Sequence, residues 1–272
     1  MKYKIKLLII VTGLATGNAN AAIDTATTGN GELFFTIWDK VAQIAYTKDL
    51  GIRMNDFLPG TANASANQSF SLAGDEYWTG FLSLTDPTST VWMIGAMDGT
   101  NKIAPGGSRY LTTSKSGLSA IRNQSNLGLF SFDVSNNFLL AVNNYGTHPT
   151  QAEGSSLTNK ANNGNAYPQS IFYNMETWST KASGWTSTAN VSDKLNFYYL
   201  TTSSSSALGK VTIGQYGTDA NTAATWSVNV GANTLEYTAP TPIPAAAWLL
   251  GSALVGLVGV GRRQGNANVI AA

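Results

Sequence analysis

The feature that most narrows what this chain can fold into is a succession of short runs rich in β-branched and aromatic residues, each closed by Gly, Asn, Ser or Pro. Glu32–Trp38, Val41–Tyr46, Ser69–Leu72, Val91–Met97, Arg109–Thr113, Ile171–Tyr173, Lys194–Leu200, Lys210–Gly214, Ala224–Val230 and Thr234–Thr238 all read as strands. Val91–Met97 is a continuous apolar run of strand length ended by Asp98-Gly99, the pattern of a central strand. The link Asp39-Lys40 between the first two runs lacks the Gly or Asn of a tight primed turn, so the hairpin turn is expected to be wider than two residues. Helical signals are sparse: Ser116 could cap a helix carrying Leu118, Ile121 and Ser125, and Asn136–Val142 holds a second apolar cluster. Residues 143–170 are mostly Asn, Gly, Thr, Ser and Ala and read as a long loop region. Without βαβ alternation, this pattern predicts a mainly β fold, an antiparallel β-sandwich or jelly-roll-like body with one or two short helices.

Charge restricts the partners. Five of the sixteen basic residues (Lys2, Lys4, Lys6, Arg262, Arg263) stand near the termini, which leaves eleven against fifteen acidic residues in the body, a balance of −4. A mildly acidic body without basic clusters offers no footprint for nucleic acid. The chain contains no cysteine, so disulfides, thiolate metal sites and cysteine nucleophiles are excluded.

Met1–Ala21 carries Lys2, Lys4 and Lys6, then the apolar stretch 7–15, then small residues at Ala19 and Ala21. That is the pattern of a secretory signal peptide spanning 1–21, cleaved by signal peptidase after Ala21 or, as the runner-up, after Ala22. At the other end, Ile243–Gly261 has no charged residue and is followed by Arg262 and Arg263. As a helix, 244–261 is long enough for one bilayer crossing, with the arginines on the inner side and the body outside.

The segment 240–263, with Pro242, Ile243, Pro244 and Ala245 ahead of the apolar run and Arg262-Arg263 behind it, resembles a PEP-CTERM sorting signal of the VPLPA type. The resemblance implies processing by exosortase in a Gram-negative bacterium that makes exopolysaccharide. Ile243 stands where the name-giving motif has glutamate, and 264–272 continues as a short tail past the arginines. The expected organisation is thus a signal peptide, a β-rich body over 22–239, a sorting segment with a single transmembrane helix, and the tail. The expected partners are signal peptidase, exosortase, the inner membrane and exopolysaccharide. The expected route runs from export and anchoring with the body in the periplasm to the cell surface or extracellular matrix.

Inside the body, chemistry is thin. His148 is the single histidine and sits in the loop-like stretch, where a catalytic or metal role lacks companions. There is no Gly-x-Ser-x-Gly motif, and neighbouring carboxylates such as Asp75 and Glu76 read as a solvated loop rather than a glycosidase pair. Asp98-Gly99-Thr100-Asn101 reads as a turn. No catalytic residue, metal or cofactor is expected, and the chain is expected not to be an enzyme. Aromatic residues are the remaining signal: Trp38, Trp92 and Trp226 fall within strand runs and are expected in the core, whereas Tyr77, Trp78, Trp178 and Trp185 are placed as candidate sugar platforms. The function expected is structural or adhesive in an exopolysaccharide or biofilm setting, with a glycan-binding module as the alternative and a polysaccharide hydrolase as the third reading.

Overall fold

The computed structural model describes residues 22–24, 29–99, 104–115, 121, 124–126, 132–172, 186–217 and 223–240. Its strands are β1 (Glu32–Asp39), β2 (Ile44–Arg53), β3 (Gln68–Ser71), β4 (Thr90–Asp98), β5 (Arg109–Ser114), β6 (Ser155–Asn159), β7 (Ala189–Asn190), β8 (Leu195–Thr201), β9 (Thr212–Gln215), β10 (Thr225–Asn229) and β11 (Thr234–Thr238). The helices are α1 (Glu76–Leu84), α2 (Phe132–Val142) and the single turn α3 (Lys160–Asn163).

All these strands belong to one antiparallel sheet, in the order β3-β11-β10-β8-β5-β4-β1-β2-β6, with β7 beside β4 and β9 beside β8. The sandwich or jelly roll is therefore corrected to a single sheet curled into a half-barrel. The reason lies in the central strands, which bury both faces. In β1, Leu33, Phe35 and Ile37 enter one core while Phe34 and Trp38 enter the other; in β4, Trp92, Ile94 and Ala96 alternate with Val91, Met93 and Met97 in the same way. On the first face the curl brings Phe57, Phe197, Tyr216, Trp226 and Tyr237 into one cluster with Phe35, Trp78 and Trp92. A sheet bent on itself thus encloses the core that a second sheet would have covered. The opposite face packs under α2 through Phe138, Leu139 and Val142.

Several local expectations hold. The first hairpin turns over Lys40–Gln43, with Gln43 at φ 58°, and is wider than two residues. Trp38, Trp92 and Trp226 are fully buried, and the cluster at Asn136–Val142 lies in α2. Others are corrected. Residues 155–159 form β6 inside the expected long loop because β2 offers them an open edge. Ile171 and Phe172 are in a turn, where a strand was expected. As expected, β4 stops at Asp98, whose carboxylate is held by Arg109 Nε at 2.8 Å and Nη2 at 2.6 Å, while Thr100 and Asn101 lie outside the described residues. Most of the expected helix after Ser116 lies outside the described residues.

The expected membrane anchor is also corrected. Among the described residues no helix is long and apolar enough to cross a membrane. The longest, α2, has 11 residues and so rises about 16 Å, roughly half a hydrocarbon core. The segment 244–261 itself lies outside the described residues, as do the signal segment 1–21, the sorting motif from Pro242 to Arg263 and the tail 264–272. Anchoring through a C-terminal helix, the inner membrane as partner, and the localisation that follows from them thus have no support among the described residues.

Candidate functional site: a polar groove beside the β2 and β6 edge

Two grooves stand out among the described residues. The larger, about 540 Å³, has an apolar floor of Pro87, Val191, Val228 and Val230, with Glu236 as its charged residue. The smaller, about 300 Å³, gathers the titratable side chains. Chemistry favours the smaller one. Its walls are the start of α1 (Asp75, Glu76, Tyr77), Lys48 of β2, and the segment that enters β6 (Thr147, Gln151, Glu153, Ser155).

Asp75 builds the first wall. It is the N-cap of α1, and its Oδ1 accepts the backbone N–H groups of Tyr77 at 2.9 Å and Trp78 at 3.2 Å. Its Oδ2 accepts the Tyr46 hydroxyl at 2.8 Å, which ties the helix start to β2. Burial, reinforced by the Asp75 charge, pushes the Tyr46 phenol far above its ordinary range, so this hydroxyl is a fixed donor. Lys48 Nζ lies 4.0 Å from the same Oδ2 and donates to the Glu153 carbonyl at 3.1 Å, joining the two walls.

The opposite wall is closed over two buried titratable groups. His148 is 0% exposed, and neither ring nitrogen makes a well-formed hydrogen bond. Its pKa is lowered to about 4, first by burial, with the Lys48 charge adding to the effect and the Thr47 backbone and Asp75 opposing it. The wall lies tightly on it: a Cβ at Gly154 would stand 2.6 Å from the His148 Cα. Gly146, at φ 62°, makes the turn that lets the segment fold back. Asp49 is likewise 0% exposed; its Oδ1 accepts the Gly51 N–H at 2.8 Å and its Oδ2 has no partner. Burial first, then the charges of Glu32 and Glu153, push its carboxyl up to about 8, against the Gly51 hydrogen bond and Lys48. At neutral pH the wall therefore covers a neutral imidazole and a largely protonated acid.

Of the candidate sugar platforms, Tyr77 is half-buried and lines the groove. Trp78 turns the other way into the core, 1% exposed, its indole N–H donating to Asn233 Oδ1 at 2.8 Å and its ring stacked on Phe81. Trp178 and Trp185 lie outside the described residues, as do Ala19 and Ala21, while Ala22 is half-buried at the start of the described chain. Asp75 and Glu76, expected in a solvated loop, instead begin a helix. An Asp followed by Glu ahead of an apolar run is an N-terminal helix signal that could have revealed this. Lys48, Gln151 and Glu153 carried no local signal of a shared site. Among the described residues no group of three His, Asp or Glu is placed to hold a metal ion.

No family model, no curated protein and no solved structure matches this chain. Partnership with signal peptidase and exosortase thus finds no support from relatives, and the membrane helix it called for is absent among the described residues.

Proposed function

We propose that this chain is a non-catalytic saccharide-binding module with an adhesive or structural role, and that its ligand sits in the groove between α1 and the wall entering β6. The observation that carries this reading is the make-up of that groove. An aromatic ring (Tyr77), an amide (Gln151), two hydroxyls (Thr147, Ser155) and charged groups converge on about 300 Å³, the small end of the range of ligand pockets and suited to one sugar ring. The half-buried Tyr77 offers an apolar face to the C–H side of a pyranose, while the polar groups answer its hydroxyls. Asp75, Tyr46 and Lys48 hold one another in place, so the first wall is formed before any ligand arrives.

The test is titration of the protein with a panel of oligosaccharides by calorimetry. Binding with a Kd of about 0.1–1 mM is expected, weakened about tenfold or more by Tyr77→Ala. A panel without binding would sink the reading.

One observation favours a second reading, a glycoside hydrolase: Asp75, Glu76 and Glu153 share the groove. Asp75 is already engaged on both oxygens by Tyr46, Tyr77 and Trp78, which leaves Glu76 and Glu153 as the only pair for such chemistry there. Release of reducing ends from any oligosaccharide that binds, abolished by Glu153→Gln, would replace the binding module with the hydrolase.

A further inference from the structure

We propose that β3 is a dimerisation edge, at which two copies of this chain join their sheets by antiparallel pairing of Ser69–Ser71 with itself about a two-fold axis at Phe70. Such pairing is independent of what the groove binds.

The backbone leaves this edge open. β3 stands at one end of the sheet and has β11 as its neighbour. The Leu72 N–H donates to the Asn233 carbonyl at 2.8 Å, so the alternate residues Gln68, Phe70 and Leu72 turn their backbone groups toward β11. Ser69 and Ser71, both exposed, turn theirs away, where no described residue pairs with them. The other edge of the same sheet is closed. On β6 the Ser155 N–H donates to Thr147 Oγ1 at 2.9 Å, its carbonyl accepts the Thr147 N–H at 2.8 Å, and the Asn159 N–H donates to Asn163 Oδ1 at 2.8 Å. β3 also lacks the devices that keep open edges apart: its ladder with β11 runs without a bulge, it holds no proline, and no charged residue stands between Asp56 and Asp75.

The occupant follows from the sequence of the edge. Ser69-Phe70-Ser71 reads the same in both directions, so an antiparallel copy meets it in register. Ser69 of each copy then faces Ser71 of the other as a hydrogen-bonded pair, for about four ladder bonds, and the two Phe70 rings meet at the closer, non-hydrogen-bonded position between them. Phe70 is half-buried and stacked on Trp226 with ring centroids 5.8 Å apart, so its ring is already held in place and the second ring covers what is left open. In a body that is acidic as a whole, an uncharged edge is also where two copies meet with least repulsion. Because β6 is closed, pairing stops at two copies instead of running on as a filament.

Sedimentation of the full chain between about 10 µM and about 1 mM should show the mass rising from one chain toward two, with a Kd on the order of 0.1–1 mM because the seam is short. Ser69→Pro removes an N–H that faces away from β11 and should raise that Kd about tenfold or more; Ser69→Lys keeps the N–H, places a charge on the edge and should do the same. An unchanged unfolding midpoint shows that either variant still folds. Since the chain has no cysteine, an oxidised mixture of Ser69→Cys and Ser71→Cys proteins reads the register, and the mixed disulfide should form about fivefold or more faster than either like pair. A mass that stays at one chain up to about 1 mM overturns the proposal, whatever extended peptide of another protein the edge then accepts. So do a dimer that neither substitution weakens, like pairs that cross-link as fast as the mixed pair, and growth past two chains.

Discussion

Replacing Asp49 with Asn removes one ionisation from behind the groove wall and should change how stability depends on pH. Asp49 titrates at about 8 in the fold, whereas an ordinary aspartate titrates at 3.8. A raised folded pKa means that the group's contribution to stability is fully present below the unfolded value and is lost as pH climbs through the folded one. At about 1.4 kcal/mol per pH unit, the whole span from 3.8 to about 8 is worth about 6 kcal/mol. His148 runs the other way: lowered to about 4 from 6.5, it contributes stability that is present above 6.5 and lost as pH falls toward 4. Between about 4 and 6.5 the two slopes offset each other, and above 6.5 only Asp49 still titrates. From pH 6.5 to 8 the wild-type protein should therefore lose about 2 kcal/mol relative to Asp49→Asn. Asn keeps the side-chain oxygen that accepts the Gly51 N–H, so the comparison isolates the proton. Urea unfolding followed by tryptophan fluorescence at several pH values measures it. If the difference between variant and wild type does not grow across this interval, Asp49 is not a buried neutral acid and the reasoning fails.

Three further outcomes are expected. Gly154→Ala forces a Cβ against the His148 backbone and should cost about 1–3 kcal/mol in thermal or urea unfolding, with ligand binding at the groove weakened alongside; an unchanged midpoint would contradict the close packing. Asp75→Ala removes the cap of α1 and strands the Tyr46 hydroxyl, for a loss of about 2–3 kcal/mol, whereas Tyr46→Phe should lose about 1 kcal/mol, both read from unfolding midpoints. Trp78→Ala empties a site between Tyr46, Phe35 and Phe81 and should cost about 3–5 kcal/mol in the same assay, which distinguishes this core residue from its groove-lining neighbour Tyr77.

Where the structure agrees with the sequence, the agreement is local. β4, β8, β10 and β11 lie where branched and aromatic residues cluster between turn residues, and β11 matches residue for residue. The strands run antiparallel, as the lack of βαβ units requires. Departures occur where a segment takes its form from a distant neighbour. Ser155–Asn159 has little strand character and becomes β6 because the edge of β2 is there to pair with. Glu76–Leu84 contains Trp, Thr and Gly, weak helix formers, yet is helical because Asp75 caps it and its apolar face closes over β2 and β6.

The candidate site follows the same division. Tyr77 was legible as an aromatic outside any strand run, and Trp78 beside it was not distinguishable, since only the helical turn sends one to the groove and the other to the core. By itself the sequence determined the mainly β character, the wide first turn, the burial of Trp38, Trp92 and Trp226, and a body poor in catalytic motifs. Each depends on residues within a few positions of one another, where propensity and the two-residue alternation act. Tertiary structure alone decided that the strands make one curled sheet, and that Lys48 meets Glu153 from 105 residues away to bridge the groove. Strand order and long-range contacts arise from which edges are left open once the chain collapses, a competition among distant segments that no local pattern encodes.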